Sequence, residues 1–408
     1  MHAGTSADER PGPASPGRAG DRRRQDRQRL AVVATFLMQG LLFASWTAHI
    51  PEVKAHLGLS DSTLGVILLF TPIGSICAML VVGRLLPVLG SRRMVQVGTL
   101  GYSLTGPLVG LASSPALLAA ALFAWGAFQG WLDVSMNTQA ASVQQIHARH
   151  LMPTFHGAWS VGAFAGAGIG AAAVALHVRL TAQMLVLVLP ALVPIAVLSL
   201  SMISDAPPPQ HGPAVRLRRF SRAVLVLGAV VFATMLCEGA CADWSAVYLR
   251  GPAHVERGLG GLGYAAFAVM MAIVRLTGTR LLERFPQQRL LPLLASLATA
   301  AMAVALATGT AATALVGFAA LGAGTALVVP ALFSAAARLP GLGQGAGITA
   351  VATFGWAGFV LGPPVIGGLA GIGGLRAALV LIPAFTLVIT LATVRLGVPP
   401  TTTSGTER

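Results

Sequence analysis

Twelve long apolar segments dominate this sequence, and each is close to the length that a helix needs to cross a lipid bilayer. Such a helix takes about 20 mostly apolar residues. Only 10% of the 408 residues are charged, against roughly 25% in a soluble globular protein. The sequence therefore predicts an all-α membrane protein with twelve transmembrane helices. The predicted spans are 30–50, 62–84, 94–112, 116–141, 152–176, 181–203, 223–248, 262–282, 288–308, 311–336, 346–370 and 376–396.

One long polar segment, SDAPPPQHGPAVRLRRFSR at 204–222, divides the spans into two sets of six. We therefore predict an N-terminal bundle at 30–203, a linker at 204–222 and a C-terminal bundle at 223–396. Residues 1–29 are rich in Arg, Pro and Gly, a composition from which we expect a disordered tail. Residues 397–408 form a polar C-terminal tail.

The positive charges alternate between the two sides of the predicted membrane. Of the 27 Lys and Arg residues, 22 fall on the side that holds both termini and 5 on the other side. Loops rich in Lys and Arg face the cytoplasm, so we predict that both termini are cytoplasmic. The formal charge of +14 is then a topology signal, and we expect no nucleic-acid partner.

The two sets of spans repeat one another, and three pairs of segments match at offsets near 197 residues. These pairs are RLLPVLGSRR (84–93) with RLLERFPQQR (280–289), SWTA (45–48) with DWSA (243–246), and TFHGAW (154–159) with TFGW (353–356). Two six-helix halves related in parallel are typical of one transporter architecture. In this repeat and topology the sequence resembles the major facilitator superfamily. The resemblance implies two pseudo-symmetric bundles that give alternating access to a central site.

No motif indicates an enzyme, a metal or a cofactor. Lys54 is the only lysine and Ala55 follows it, so the sequence has no phosphate-binding GK[ST] motif. GLGGLG at 258–263 lies in a loop between two spans, with no strand before it, and does not indicate dinucleotide binding. We therefore expect no catalytic residues, no metal and no cofactor.

Three acidic residues lie inside predicted spans: Asp133, Glu238 and Asp243. A charge near the bilayer centre costs about 2.5–3.5 kcal/mol on insertion scales, and such residues usually face a cavity or a partner. A carboxyl group kept from water holds a proton more readily than an exposed one. We therefore expect these acids to carry protons. The alternative is a structural hydrogen bond between helices.

Gln129, Asp133 and Asn137 recur every four residues and so share one face of the fourth span. We expect the two amides to bind solute. This D-x-x-x-N spelling, Pro51 and Lys54 after the first span, and TFHGAWSVG at the start of the fifth resemble the fucose-permease-like branch of the superfamily and its poorly characterised bacterial relatives. The resemblance implies that the protein lies in a bacterial cytoplasmic membrane and that Asp133 takes part in proton-coupled sugar uptake.

That branch also carries an acid near the end of the first span, where this sequence has Thr47. Glu238 lies near the middle of the seventh span, which is the repeat partner of the first. We therefore expect Glu238 to replace the missing acid. Asp243 lies five residues further, about 140° around the helix. We expect Asp243 to form either an external gate or a contact at the helix end.

His156, Trp159 and Ser160 share a face of the fifth span. The imidazole of a histidine titrates near neutral pH, so His156 is a candidate proton relay or an interfacial contact. Trp159 and Ser160 are candidate solute-binding residues. Trp244 and Trp356 take part in the repeat, and we interpret them either as a stacking surface for solute or as interfacial anchors.

The loops after the second and eighth spans resemble the superfamily's gating signature, which implies that they latch the two halves together on the cytoplasmic side. Pro87 stands where the first copy of the signature has an acid. The alternative is that these charges serve topology alone. The residues that match the signature are Gly83, Gly90, Arg92, Arg93, Glu283 and Arg284.

These observations predict a secondary transporter that takes up a small, sugar-like polar solute with protons and acts as a monomer in the lipid bilayer. One alternative is proton-driven efflux of a drug or metabolite through the same acids. Against efflux, drug antiporters of this superfamily carry an arginine on the fourth span, where this sequence has Gly126. A third interpretation is a transport-inactive membrane receptor or scaffold.

Overall fold

A computed structural model describes residues 16–147, 151–204, 221–336, 338–339 and 344–396, and within them the only regular structure is helical. The first half contains α1 (Pro16–Thr47), α2 (Ile50–His56), α3 (Asp61–Leu68), α4 (Phe70–Leu89), α5 (Ser91–Val109), α6 (Pro115–His147), α7 (Met152–Ala175) and α8 (Leu180–Ser199). The second half contains α9 (Arg222–Arg250), a 3-10 turn (Arg257–Leu259), α10 (Leu262–Arg284), α11 (Gln287–Thr308), α12 (Ala311–Thr325), α13 (Val328–Ala336), α14 (Gln344–Gly373), α15 (Leu375–Ala378) and α16 (Leu381–Leu396).

The predicted fold class is confirmed, since a helix or a pair of consecutive helices covers each of the twelve predicted spans. Eleven spans in the described part of the chain are long and apolar enough to cross a membrane. The twelfth is α5, which is more polar and begins with two arginines near Ser91. Its 19 residues measure about 28 Å, close to the hydrocarbon thickness, and it packs against α6 and α8.

Three spans are each broken into two helices. In each of them a proline stands four residues after a residue at the break. A proline has no N–H to donate to the carbonyl four residues earlier, so the helix loses a hydrogen bond there. In each case the proline cannot donate the usual helical hydrogen bond to the carbonyl four residues earlier, and the pairs are Pro72 and Leu68, Pro330 and Ala326, and Pro383 and Leu379. Proline therefore contributes to each of these breaks, although Pro292 and Pro363 lie inside unbroken helices.

The first helix begins at Pro16, fourteen residues before the start of the predicted span. The prediction of a disordered tail is therefore wrong for residues 16–29. Proline suits the first position of a helix, and the many Arg and Gln residues that follow are good helix formers. The predicted tails at 1–15 and 397–408, and the linker at 205–220, lie outside the described residues.

The loops lie at two opposite ends of the helices. We call the end that holds the start of α1 and the end of α16 the tail side, and the other end the far side. Small residues let α1 and α7 pack closely between these ends. A Cβ atom on Gly40 would lie 2.2 Å from the carbonyl oxygen of Trp159, and one on Gly162 would lie 2.1 Å from that of Leu37. Glycine is thus required for the backbones to approach this closely.

Candidate functional site

Glu238 lies near the middle of α9 and faces Arg275 of the neighbouring helix α10. Arg275 Nη2 is 3.9 Å from Glu238 Oε1, which is too long for a hydrogen bond. That oxygen is buried and has no hydrogen-bond partner among the described residues, while Arg275 Nε donates to the carbonyl of Ala326 at 3.3 Å. The two charges attract each other, but no hydrogen bond from Arg275 fixes Glu238 in its ionised form.

The polar stripe predicted on the fourth span is present on α6. Asn137 Nδ2 donates to Asp133 Oδ1 at 3.3 Å and to the Asp133 carbonyl at 2.9 Å, and both side chains are half-buried. One turn earlier, the carbonyl of Gln129 accepts a hydrogen bond from Gln39 Nε2 of α1 at 3.4 Å. The side-chain oxygen of Gln129 is buried, without a partner among the described residues. The stripe therefore meets α1 and offers a free acceptor there.

Trp159 and Gln39 connect this stripe to a group of aromatic rings. Trp159 Nε1 donates to Gln39 Oε1 at 3.1 Å. The ring of Phe43, one turn further along α1, lies 6.2 Å from the ring of Trp159 and 6.3 Å from that of Tyr264. Because Tyr264 belongs to α10, the rings bring the first and second halves together beside the amide groups.

His156 and Ser160 lie one turn apart near the tail side of α7. The His156 side chain is exposed, and its ring packs edge-on against Phe36 at 5.3 Å. Ser160 is buried, and its hydroxyl donates to the carbonyl of His156 at 3.1 Å. The serine hydroxyl therefore bonds within its own helix, whereas the imidazole is accessible.

The remaining candidates on α9 and α14 are spread more widely. Asp243 is half-buried, and Trp244 is fully buried in the apolar core. Trp356 is 39% exposed and packs edge-on against Phe359 at 6.3 Å. Of the three candidate tryptophans, Trp159 is the one that hydrogen-bonds to the polar cluster.

The predicted gating residues lie at the tail-side ends of α4, α5 and α10. Arg93, Glu283 and Arg284 are exposed and Arg92 is half-buried. None of the four ion pairs between described residues involves them. Gly90 ends α4 at φ +74°, a conformation that favours glycine, and Gly83 has open space where a Cβ atom would lie. In this conformation the predicted gating side chains form no ionic contact between the halves.

On the far side, by contrast, an acid of the first half binds two arginines of the second. Arg250 and Arg257 each donate a hydrogen bond to a different carboxylate oxygen of Glu52. We call these three residues the far-side latch. Burial acts to raise the pKa of Glu52, but the hydrogen bonds and positive charges of the two arginines outweigh it and lower that pKa below its ordinary value of 4.5. The latch therefore holds Glu52 as an anion.

A backbone contact between α3 and α14 reinforces this closure. A Cβ atom on Gly65 would lie 2.5 Å from the carbonyl oxygen of Pro363, so the two backbones touch. Ser62 Oγ donates to the carbonyl of Gly367 at 3.2 Å. The far side is thus closed by both ionic and backbone contacts between the halves.

Sequence reasoning missed several residues of this site. In the sequence, Arg275 is one of the 22 positive residues assigned to the side that holds the termini. It lies nine residues, or about 13 Å, inside the tail-side end of α10. That depth is a signal that the sequence offers. Gln39, Phe43 and Tyr264 gave no comparable signal, because their role depends on contacts between distant helices. No group of three or more His, Cys, Asp and Glu residues in the described part of the chain is placed to hold a metal ion.

Comparisons with known proteins agree with this architecture. The profile of the Major Facilitator Superfamily matches residues 31–355. An uncharacterized MFS-type transporter of Yersinia pestis is 34% identical over 354 residues, which cover 86% of this chain and 91% of that protein. The membrane protein MosC of Rhizobium meliloti is 33% identical over 89% of each chain.

Two solved structures share the fold at low sequence identity. The nucleoside transporter NupG superposes with a TM-score of 0.70 at 10% identity and covers 91% of this chain and 99% of its own. A bacterial homologue of the human lysosomal transporter Spinster, in an inward-facing and occupied conformation, superposes with a TM-score of 0.68 at 15% identity. That alignment covers 94% of this chain and 98% of the other. At these identities the likeness describes the fold and not the solute.

Proposed function

The chain belongs to the major facilitator superfamily and is a secondary transporter, and we propose that it imports a small, hydroxyl-rich solute together with protons. The observation that carries this proposal is the buried carboxylate oxygen of Glu238, which lies beside Arg275 and has no hydrogen-bond partner among the described residues. A buried charge without hydrogen bonds is costly unless it is neutralised. Proton binding neutralises Glu238 and removes its attraction to Arg275.

This competition between a proton and Arg275 provides the coupling. When Glu238 is ionised, its charge is balanced by Arg275 on the adjacent helix. When it is protonated, the two helices lose that attraction and the balance between conformations changes. Asp133, whose carboxylate accepts one hydrogen bond from the described residues, at 3.3 Å from Asn137, serves as a second proton carrier. The exposed imidazole of His156 relays protons from the tail side. The role of Asp243 is that of an external gate.

The solute binds beside the amide cluster. Gln129 offers a buried acceptor without a partner among the described residues, which a hydroxyl group of the solute satisfies by donating to it. Asn137 and Gln39 add amide groups, and Trp159 with Phe43 supplies an apolar surface. A few placed polar groups against aromatic rings are typical of small-molecule sites. This combination favours a sugar-like solute over a purely apolar drug.

The predicted orientation gives each side of the molecule a role in the transport cycle. With the tail side in the cytoplasm, the closed far side is the external one, and the molecule is in a conformation from which solute leaves toward the cytoplasm. Return to the outward-facing state opens the latch at Glu52. The tail-side residues Arg92, Arg93, Glu283 and Arg284 then close the cytoplasmic side.

The test is transport by purified protein in proteoliposomes. A thermal-shift screen of sugars, polyols, amino acids and drugs first identifies a solute. We expect that solute to exchange in counterflow, and to carry acid into energised vesicles as it enters. In Glu238→Gln and Asp133→Asn variants, pH-driven accumulation is lost while counterflow persists. The matched control is Glu256→Gln, which changes an exposed glutamate outside the spans.

Each contrary outcome selects a different function. Acid leaving the vesicles as solute enters identifies proton-driven efflux. Ligand binding without counterflow of any solute identifies a receptor or scaffold. Normal accumulation in both acid variants means that neither residue carries the coupled proton.

A further inference from the structure

A polar cavity lies on the far side, and two residues of the latch, Glu52 and Arg257, form part of its wall. Its volume is about 450 Å³. Three far-side loops of the first half line it, and one residue of the second half, Arg257, completes the wall. The polar residues that line it are His49, Glu52, His56, His177, Arg179 and Arg257.

The charges around this cavity favour an anion. Glu52 is the only acid in its lining, and both carboxylate oxygens already accept hydrogen bonds from Arg250 and Arg257. A guanidinium group has five N–H donors, so Arg257 retains donors for a second acceptor. Arg179 is exposed and forms no ion pair within the described part of the chain.

Two further features of the cavity suit it to bind an anion. His49 is 3% exposed, and its Nε2 atom is held by Gln183 Oε1 at 2.7 Å, so one wall is a fixed polar side chain. The helix α8 begins at this cavity, with Arg179 as its N-cap and no side-chain hydrogen bond to its first turn. The N-terminus of a helix favours negative charge through its dipole and its free N–H groups.

We propose that this cavity binds a small oxyanion, a carboxylate or a phosphate, between Arg179 and Arg257. Because Arg257 comes from the second half and the other lining residues come from the first, the complete site exists only while the far side is closed. A ligand that binds one conformation shifts the population toward it. The oxyanion therefore holds the transporter closed on the far side. This site is separate from the proposed solute site, and neither proposal depends on the other.

The first test uses inorganic phosphate as the probe and the melting temperature as the readout. We expect phosphate, compared with chloride at equal ionic strength, to raise the melting temperature of the detergent-solubilised full chain by at least about 2 °C. The Arg179→Gln variant should lose this shift. The control Lys54→Gln removes a far-side cation that does not line the cavity and pairs with Asp61 at 2.5 Å, and it should keep the shift. Equal shifts in all three proteins, or no shift in any, would overturn the proposal.

A second readout tests the link to closure. With Cys77, Cys237 and Cys241 replaced by serine, the near-isosteric Ser62→Cys substitution reports opening between α3 and α14. Phosphate should slow maleimide labelling of this cysteine, and Arg179→Gln should abolish that effect. Labelling that is independent of phosphate in both proteins would show that the anion does not hold the far side closed.

Melting temperatures measured in lipid nanodiscs distinguish a soluble anion from a lipid headgroup as the ligand of this cavity. If a soluble anion is the ligand, phosphate raises the melting temperature equally in phosphatidylcholine and phosphatidylglycerol nanodiscs. If a lipid headgroup occupies the cavity, phosphatidylglycerol alone gives the increase, and Arg179→Gln removes it. An increase from phosphatidylglycerol that Arg179→Gln does not change would contradict binding of headgroups at this cavity.

Discussion

Two glutamates of this transporter each face arginine, and their surroundings differ. Glu52 lies on the far side and accepts hydrogen bonds from two arginines of the other half. Glu238 lies within a span, 3.9 Å from one arginine of its own half, with an oxygen that no described residue hydrogen-bonds. A carboxylate that accepts hydrogen bonds from two arginines stays ionised and holds the two halves together. A carboxylate that lies near an arginine without a hydrogen bond to it is stabilised when it binds a proton, so it is suited to carry that proton.

The largest expected difference between the two glutamates is in proton coupling. Glu238→Gln should reduce pH-driven solute accumulation to the level of empty liposomes, because the amide cannot release a proton. Glu52→Gln should leave the number of protons moved per solute unchanged. Both are measured with a pH-sensitive dye during solute uptake. Loss of coupling in Glu52→Gln, or its retention in Glu238→Gln, would reverse the roles assigned to the pair.

The next largest effect separates the latch from the backbone contact beside it. Gly65→Ala forces a methyl group against the Pro363 carbonyl, 2.5 Å from the ideal Cβ position, and overpacking of this kind costs about 1–3 kcal/mol. We expect the far side to open more often, which raises maleimide labelling of Ser62→Cys by about fivefold or more.

The control for this variant is Gly168→Ala, where a new Cβ atom would meet no atom within 4 Å. Its labelling rate should stay unchanged. If both alanine variants label alike, the contact between α3 and α14 does not limit opening.

A smaller effect is expected when the latch itself is broken. Glu52→Gln removes a partly exposed ionic contact, and such contacts are worth up to about 1 kcal/mol, or about a factor of five in an equilibrium. Labelling of Ser62→Cys should rise by no more than that factor. Asp61→Asn is the matched control, because its ion pair with Lys54 joins two residues of the same half. An equal rise in both variants would show that the latch does not act between the halves.

The smallest effect concerns pH. The two arginines lower the pKa of Glu52 below 4.5, so the latch contributes its full stabilisation above that value and loses it as pH falls through the lowered pKa. The labelling rate of Ser62→Cys, divided at each pH by the rate for free cysteine to remove the titration of the thiol itself, should therefore stay constant between about pH 8 and pH 5. It should rise only as pH falls below 4.5. A rise already near pH 6 that Glu52→Gln removes would contradict this account of the latch.

Much of the fold was accessible from the sequence because it depends on local composition. Span length, loop charge and the repeat predicted twelve helices, and the period of four placed Gln129, Asp133 and Asn137 on one face. The far-side latch was not accessible, since Glu52 and Arg250 are 198 residues apart and ion pairs between distant loops follow no period. The extension of α1 to Pro16 was missed because a charged composition was interpreted as disorder.

The functional residues also divide into those that local sequence predicts and those that only contacts between helices reveal. Glu238 was predicted from the free-energy cost of placing a charge inside a span, and that cost depends on one residue alone. Its partner Arg275 was not, because an arginine near a loop also serves the topology. The tryptophans looked equivalent in sequence, and only packing distinguishes the buried Trp244 from Trp159, which hydrogen-bonds to Gln39.

Proton binding by Glu238 is tested most directly by infrared difference spectroscopy on the reconstituted protein as pH is changed across the physiological range. If Glu238 binds and releases the coupled proton, the wild-type protein shows a carboxylic acid carbonyl band that disappears as pH rises, and Glu238→Gln lacks one component of that band while Glu52→Gln retains it. An identical, pH-dependent band in wild type and in Glu238→Gln would contradict the claim.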